Sequence, residues 1–206
     1  MNKLLRDSDR EKYKGLIEEM TQIVPEIMAK KYPLANVQQA WTLSTILEYI
    51  LTPATTILCV GSFEDTSSAY LEKHNILVTN IDPEINTDLH YYVYNHGKKF
   101  DIVFSTSVIE HVEDDEEFIK DICLSLNKGG IAILTCDFNN SYKKGDAVIY
   151  PDFRFYTKED LDVRFRKIIE DCGCLFVGDP NWEGEPDFHL IGFDYSFATI
   201  VFMKVK

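Results

Sequence analysis

The chain has 206 residues, of which 45% are hydrophobic, and this is enough to bury one substantial core. Its formal net charge at pH 7 is -13, and so acidic a surface repels phosphate backbones and anionic membranes. The lysines and arginines are dispersed, so none of their groups is large enough for a nucleic-acid footprint. We therefore expect neither nucleic acid nor a membrane as a partner.

The cysteines and the absence of targeting signals indicate the compartment. The sequence shows no signal peptide, no transit segment and no apolar run of membrane-spanning length, which predicts a cytoplasmic protein. The sequence leaves the oligomeric state open. The five cysteines lie mostly in apolar runs and are expected to be reduced core residues: Cys59, Cys123, Cys136, Cys172 and Cys174.

Residues 1–51 carry two helical stripes and no strand pattern. The first stripe runs from Leu16 to Met28 and contains Pro25, which should kink or interrupt the helix. The second runs from Val37 to Leu51. Because these helices have apolar faces but no sheet of their own, they should pack on a core formed by residues 52–206. They serve either as a helical cap over a ligand cleft or as simple structural packing.

The first core strand is predicted at Ile57 to Val60, and the turn after it begins with Gly61. A glycine at this place in a doubly wound sheet lets the backbone approach a ligand. The next strand, Ile76 to Ile81, ends at Asp82, about 20 residues beyond the glycine, where a carboxylate can accept both ribose hydroxyls of a nucleotide. Asp82 before Pro83 also suits a simple turn. A nucleotide-binding turn usually has two or three glycines, and this turn has one. Gly61 and Asp82 at this spacing are therefore more specific evidence for a nucleotide site than Gly61 alone.

The chain between Asp82 and Phe100 is too short for both a helix and a strand. We therefore expect the usual third strand of such a sheet to be short or absent, with Tyr91 to Tyr94 as its only candidate.

The stretch from Phe100 to Phe138 predicts a strand, a turn, a helix and a second strand. Asp101 to Ser105 is β-branched and aromatic, as in a buried parallel strand. Apolar residues at helical spacing follow, and Gly129-Gly130 is expected to end that helix before the next strand at Ile131 to Thr135. Parallel strands joined by a helix form a βαβ unit, whose ligands bind at the carboxyl ends of the strands.

The last third of the chain has a long polar loop and a terminal pair of strands. Residues 139–156 form the loop, and a loop of this length is usually functional or mobile. Thr157 to Asp160 is typical of a helix start with a capping box. Leu175 to Gly178 and Ala198 to Val205 are expected to form an antiparallel pair.

Four motifs together resemble the class I S-adenosylmethionine (SAM) dependent methyltransferases. They are ILCVGS, NIDP, FSTSVIEHV and LNKGGIAILTCDF, and the resemblance covers roughly residues 57–206. It implies an α/β fold with a Rossmann-like, doubly wound sheet that is mostly parallel, an antiparallel C-terminal strand and the N-terminal helical extension of residues 1–51. The domain of residues 52–206 would be the methyltransferase domain.

The resemblance also implies a cleft for the cofactor SAM at the carboxyl ends of the strands. In this cleft Gly61 and Ser62 would face the methionine portion of SAM, and Asp82 would bind the ribose. Asp88 and Leu89 would flank the adenine, and Ser105 and Thr106 would lie beside the sulfonium.

The implied reaction is transfer of the SAM methyl group to an oxygen or nitrogen of a small-molecule or glycan-like acceptor. A base is needed only for a hydroxyl or a protonated amine. His111 is the first candidate because its pKa lies near neutrality, and Asp137 at the end of the fifth strand is the second. His111 could instead be hydrogen-bonded structurally, and Asp137 could only cap the loop. The loop of residues 139–156 is a candidate acceptor-side lid.

Two other interpretations remain open at this point. The glycine-poor first turn also fits a catalytically inactive or empty relative that acts as a regulatory partner, and a nicotinamide enzyme on a doubly wound sheet is the third interpretation. Residues 107–111 resemble the Glu-x-x-Glu-His pattern with which some methyltransferases bind a divalent ion. Ser107 replaces the first carboxylate, so no metal is expected.

Overall fold

The computed structural model describes all 206 residues and is built around an eight-stranded sheet. The strands are β1 (Leu4–Leu5), β2 (Ile57–Val60), β3 (Val78–Ile81), β4 (Phe100–Thr106), β5 (Leu126–Phe138), β6 (Cys174–Phe176), β7 (Phe188–Leu190) and β8 (Phe193–Lys204). The helices are α1 (Asp9–Ile23), α2 (Pro25–Met28), α3 (Asn36–Tyr49), α4 (Thr66–Lys73), α5 (Leu89–His96), α6 (Asp115–Leu124) and α7 (Arg166–Asp171).

The sheet has the order β1-β8-β5-β4-β2-β3, and β6 and β7 also pair with β8. The four central strands are parallel: β2 pairs with β3 and with β4, and β4 pairs with β5. β8 runs antiparallel to β5. The predicted Rossmann-like sheet, mostly parallel with an antiparallel C-terminal strand, is confirmed.

The parallel pairing brings three strand ends to one edge of the sheet. β2, β3 and β4 end at Val60, Ile81 and Thr106, and Val60 pairs with Ile81 in register. The turns that follow these strands therefore lie side by side. Crevices of this kind bind ligands in open α/β sheets.

Each face of the sheet is covered by its own group of helices. One hydrophobic cluster joins the sheet to α6 through Ile119 and to the helical turn before α7 through Phe165. The other joins it to α1, α3 and α4, and it includes Met20 and Leu43. Residues 1–51 thus pack on the sheet as predicted, with Pro25 beginning a separate short helix after α1.

The N-terminal segment also contributes a strand, which the sequence did not predict. In β1, Leu4 pairs with Ala198 and Leu5 with Phe197 of β8. The long β8 presents its second edge to β1, β6 and β7 in turn. Residues 1–51 are therefore a part of the sheet as well as a helical layer.

The candidate third strand at Tyr91 to Tyr94 was wrong, because these residues lie in α5. The side chain of Asp88 caps this helix by accepting a hydrogen bond from the Tyr91 amide at 2.8 Å, and Gly97 ends it with φ +59°. Capping residues at both ends outweigh the strand preference of the aromatic residues between them. β3 is consequently an edge strand.

The role expected for Gly129-Gly130 was also wrong. α6 already ends at Leu124, and the glycines lie inside β5. A Cβ on Gly130 would come within 2.8 Å of the Phe100 carbonyl oxygen. The pairing of β4 with β5 shifts in register between Phe100 and Ile102. The glycines allow the two backbones to approach closely at this irregularity.

The C-terminal elements agree with the sequence pattern. Asp160 Oδ2 accepts a hydrogen bond from the Thr157 amide at 2.9 Å, and the Asp160 amide donates to Thr157 Oγ1 at 3.2 Å, so the capping box is present. A π-helical turn over Asp160–Phe165 leads from it into α7. β6 and β8 form the predicted antiparallel pair. All five cysteines are free thiols. None of the helices has both the length and the apolar character needed to span a membrane.

Candidate active site

A cavity of about 1060 Å³ opens at the carboxyl ends of β2, β3 and β4. It is lined by Gly61 after β2, Asp82 after β3 and Thr106 at the end of β4, and its far wall includes Phe118 of α6. Ligand pockets usually measure about 300 to 1,000 Å³. The cavity therefore has room for a nucleotide-sized cofactor together with a small second ligand. We call it the cleft.

Gly61 is required by the packing of the cleft itself. Its φ is +77°, and a Cβ at this position would clash with the side chain of Val108, which follows β4. The amides of Gly61 and Ser62 both donate to the Ile81 carbonyl, at 3.0 and 3.2 Å. Gly61 thus allows the turns after β2 and β4 to touch, which is a structural role beside any contact with a ligand.

Asp82 is buried at the floor of the cleft, with 8% of its surface exposed. Its Oδ2 accepts a hydrogen bond from the Phe63 amide at 3.0 Å and its Oδ1 from the Glu84 amide at 2.8 Å. An ionised carboxylate has about four acceptor positions, so both oxygens can still accept a ribose hydroxyl. The turn role and the proposed ribose role of Asp82 are compatible.

Asp88 and Leu89 lie together at the end of the cleft beyond Asp82. Asp88 caps α5 through the Tyr91 amide, and Leu89 is a buried apolar contact at the first position of that helix. Leu89 offers an apolar surface and Asp88 an acceptor, which are the groups that an adenine ring would need. Their contact with adenine stays a prediction.

The three hydroxyl residues of the predicted site differ in position. Thr106 lines the cleft, and its buried Oγ1 has no hydrogen-bond partner. Ser62 and Ser105 also have buried, unpartnered Oγ atoms, but neither lines the cleft. The Thr106 hydroxyl, which has Asp65 as a neighbour, is therefore in a position to bond a ligand in the cleft.

The N-terminal helices contribute cleft residues that the sequence analysis missed. Lys31 and Gln39 line the cleft. Gln39 Oε1 accepts from Thr66 Oγ1 at 2.5 Å, and Gln38 Nε2 donates to Ser107 Oγ at 2.6 Å. The sequence did carry one signal of these contacts, the two glutamines within the buried stripe of α3. Polar side chains in such a stripe need hydrogen-bond partners. Residues 1–51 thus supply Lys31 and Gln39 to the cleft wall, and their role as a cap stays a prediction.

The charge of the cleft is strongly negative. Lys31 is the only lysine or arginine in its wall. The acidic side chains in the wall are Glu64, Asp65, Asp82, Glu84, Asp88, Glu113, Asp114, Glu117 and Asp121. A cleft lined by one sign of charge concentrates ligands of the opposite sign, so this cleft favours cations.

His111 lies at the rim of the cleft, in a 3₁₀ turn over Ile109–His111. Its Nδ1 is 3.1 Å from Oδ1 of Asp152, a residue of the loop of residues 139–156. Burial lowers the pKa of His111 and raises the pKa of Asp152 to about 6. At pH 7 the histidine is therefore neutral and the aspartate ionised. A proton on Nδ1 would face Asp152 and leave Nε2 as a proton acceptor, and the ring also hydrogen-bonds with the Pro151 backbone.

Glu110 and Asp137 lie beneath the same loop and do not line the cleft. The Phe153 amide donates to the Glu110 carbonyl at 2.8 Å, and the Tyr156 amide to the Asp137 carbonyl at 2.9 Å. Burial, with the neighbouring charge of Asp152, raises the pKa of Glu110 to about 8. Burial and the charge of Glu110 also raise the pKa of Asp137 well above its usual range. No three of the acidic, histidine and cysteine side chains are arranged to hold a metal ion.

The residues present fit SAM. The carboxylate of Asp82 has free acceptor positions, Thr106 has a hydroxyl without a partner, and the cleft has the required volume and a negative charge suited to a sulfonium. Lys31 is the one cation in the wall that could meet a carboxylate. Gly61, Asp82, Asp88, Leu89 and Thr106 line the cleft, Ser62 and Ser105 do not, and the contacts of all seven with the cofactor remain predictions.

Comparison with known proteins supports the same family. Residues 58–134 match the family model described as a methyltransferase domain. This segment runs from β2 into β5 and contains Gly61, Asp82, Thr106 and His111. No curated protein sequence matches the chain.

Solved structures share the fold at low sequence identity. One is the Burkholderia thailandensis 1,6-didemethyltoxoflavin-N1-methyltransferase with bound 1,6-didemethyltoxoflavin and S-adenosylhomocysteine (SAH), with TM-score 0.57 and 11% identity over 96% of this chain and 90% of that one. The CurJ carbon methyltransferase has TM-score 0.53 and 13% identity over 97% and 68%. The [4+2]-cyclase SpnF has TM-score 0.55 and 11% identity over 93% and 94%.

A cyclase among these structures makes plain that the fold alone does not give the reaction. The family match is independent of the fold and covers most of the residues that line the cleft, all except Lys31, Gln39 and Pro151. Residues 58–134 thus match the methyltransferase-domain model, and the chain shares its fold with solved methyltransferase structures.

Proposed function

We propose that the chain transfers the methyl group of SAM to an oxygen or nitrogen of a small-molecule or glycan-like acceptor. The observation that carries the proposal is the cleft at the ends of β2, β3 and β4, in which Asp82 and Thr106 offer unused hydrogen-bonding capacity. We propose Gly61, Asp82, Asp88, Leu89 and Thr106 as the cofactor-binding residues, whereas Ser62 and Ser105 do not line the cleft.

SAM, when bound, supplies a methyl group on a positively charged sulfur that leaves as a neutral thioether. The main task of the protein is then to align the acceptor with that methyl group in a dry site. The loop of residues 139–156 reaches the rim of the cleft through Pro151, and Asp152 beside it contacts His111. We propose that this loop covers the acceptor and keeps water out.

His111 is the proposed base. In its neutral form Nε2 accepts a proton from the acceptor, and the ionised Asp152, 3.1 Å from Nδ1, stabilises the positive charge that follows. Asp137 is too far inside the fold to line the cleft, so a direct catalytic role for it requires the acceptor to reach beneath the loop. The acidic wall supports a small acceptor that carries no phosphate.

The test uses SAM labelled in its methyl group and a protein-free extract of small molecules as the source of acceptors. We expect label to appear in a small molecule, and to be lost when His111→Ala replaces the native chain. Label found in added protein or nucleic acid would contradict the proposal. SAM bound without transfer to any fraction would favour the catalytically inactive relative.

A further inference from the structure

Arg154 ties the end of the loop of residues 139–156 to the wall of the cleft. Its Nη2 donates to the carbonyl oxygens of Val112 and Glu113, both at 2.9 Å, and its Nη1 lies 2.9 Å from Oδ2 of Asp115. Val112 and Glu113 line the cleft, whereas Arg154 does not. The guanidinium group therefore binds three acceptors in the segment that follows the 3₁₀ turn after β4.

The two residues before Arg154 contact the 3₁₀ turn itself. The Phe153 amide donates to the Glu110 carbonyl at 2.8 Å, and Oδ1 of Asp152 lies 3.1 Å from Nδ1 of His111. Three consecutive residues of the loop thus lie along the turn and the segment after it. Asp152 forms no ion pair with a lysine or arginine, so its place beside the imidazole depends on how its neighbours in the chain are held.

We propose that Arg154 is a positioning residue that holds Asp152 against His111. This inference rests on the proposed function, in which His111 is the base. Fixing an irregular segment of backbone costs conformational entropy, and the three contacts of the guanidinium group offset that cost in the folded chain. Arg154 acts on the reaction only through Asp152, since it does not line the cleft.

An arginine suits this role better than a lysine. Its planar group carries five N–H donors in fixed directions, so it can bind a carboxylate and two carbonyl oxygens together. The Asp115 carboxylate is itself held by Arg164, whose Nη1 and Nη2 donate to it at 2.8 and 2.9 Å. Arg164 forms its other ion pairs with Glu116 and Asp160, outside the loop of residues 139–156. Arg154 is therefore the arginine of this network that reaches the loop.

The proposal predicts a coupling between Arg154 and Asp152 that can be measured at His111. The ionised carboxylate of Asp152 favours the imidazolium form, so Asp152→Asn should lower the pKa of His111. If Arg154 holds Asp152 in place, the same substitution should have no effect once Arg154 has been replaced. The other carboxyl groups in and after the turn form no ion pair with the imidazole and are the same in all variants: Glu110, Glu113 and Asp114.

The experiment measures the pKa of His111 by NMR, from the Cε1 proton signal that is missing in His111→Ala. The native chain, Asp152→Asn, Arg154→Gln and the double variant are titrated. We expect Asp152→Asn to lower the pKa of His111 in the native background and to leave it unchanged in the Arg154→Gln background. Arg164→Gln is the matched control, because it removes the other guanidinium group from Asp115. The shift caused by Asp152→Asn should persist in that background.

Three results would overturn the proposal. An equal shift in the native and Arg154→Gln backgrounds would show that Asp152 keeps its place without Arg154. No shift in the native background would show that Asp152 does not act on His111. Loss of the shift in Arg164→Gln as well would assign the effect to the charges around Asp115.

A second variant and a second measurement complete the test. Arg154→Lys replaces Arg154→Gln if the latter does not fold, and the shift caused by Asp152→Asn should be smaller there than in the native chain, since an ammonium group cannot reproduce the three contacts. A full shift in Arg154→Lys would then overturn the proposal. Calorimetric titration with SAH separates the two conclusions: failure of the native chain to bind SAH contradicts the proposed function, whereas binding with an overturned role of Arg154 leaves methyl transfer in place.

Discussion

Nδ1 of His111 lies 3.1 Å from Oδ1 of Asp152, which joins the turn after β4 to the loop after β5. The two residues are 41 positions apart in the chain. The contact orients the imidazole at the rim of the cleft and places an ionised carboxylate behind it. His111 also lines the cleft, and its role as the base is our proposal.

Replacement of His111 tests this assignment. We expect His111→Ala to lower turnover by roughly 10²-fold to 10⁴-fold, the usual contribution of a general base. Asp152→Asn should cause a smaller loss, because the base remains but its positive form is less stabilised. The affinity for SAH, measured by calorimetry, should stay nearly unchanged in both variants. A parallel loss of SAH affinity would mean that the pair only shapes the cleft.

The pH dependence of kcat/KM should also report the ionisation of His111. Burial lowers the pKa of His111 from its usual 6.5. A base acts in its neutral form, so activity should rise with pH through a midpoint below 6.5 and then level off. Asp152→Asn should move this midpoint lower still, since the negative charge that favours the imidazolium is removed. A midpoint well above 6.5 would indicate a different base.

The buried carboxyl of Glu110 should make stability depend on pH. Its folded pKa of about 8 lies above the value of 4.5 expected in the unfolded chain. Between these two values the folded protein holds more protons than the unfolded chain, so the free energy of unfolding should fall as pH rises. Glu110→Gln removes this term and should be more stable than the native chain at pH 8.5 by more than about 1.4 kcal/mol, the value of one pKa unit.

Urea unfolding of both proteins at pH 5 and pH 8.5 measures this difference. The gain of Glu110→Gln over the native chain should be much larger at pH 8.5 than at pH 5. The same gain at both values would show that Glu110 ionises normally.

Much of this architecture follows from local sequence patterns. The first two parallel strands end at Val60 and Ile81 as predicted, and the third ends at Thr106, one residue after its predicted end at Ser105. Asp82 could therefore be placed at a strand end from the sequence. β1 was missed because a pairing of two residues leaves no periodic pattern. The segment from Tyr91 to Tyr94 was misassigned because its composition favours a strand, whereas Asp88 and Gly97 fix a helix.

The candidate site was less predictable, because its contacts join distant segments. Asp152 lies in a polar loop with no local feature that would link it to His111. Lys31 and Gln39 reach the cleft only through the packing of the N-terminal helices on the sheet. Ser62 and Ser105 were expected in the cleft from the family motif, yet in the folded chain neither side chain lines it.

The loop of residues 139–156 should respond to ligands if it covers the acceptor. Lys143 and Lys144 are exposed within it and are sites for trypsin. We expect trypsin to cut there in the free protein, and cofactor with acceptor to slow the cleavage. Cleavage products are followed by mass spectrometry. Identical cleavage rates with and without ligands would indicate that the loop is a passive surface segment.

The central claim is that SAM binds at the carboxyl ends of β2, β3 and β4 with Asp82 at its ribose. Calorimetric titration of SAH into the native chain, Asp82→Ala and the control Glu18→Ala tests it most directly, with thermal unfolding to verify that each protein is folded. Each lost hydrogen bond to a charged acceptor should cost about 1.5 to 3 kcal/mol, or at least tenfold in Kd. We predict one SAH per chain, weaker binding in Asp82→Ala and unchanged binding in Glu18→Ala. No binding by the native chain, or equal affinity in folded Asp82→Ala, would contradict the account.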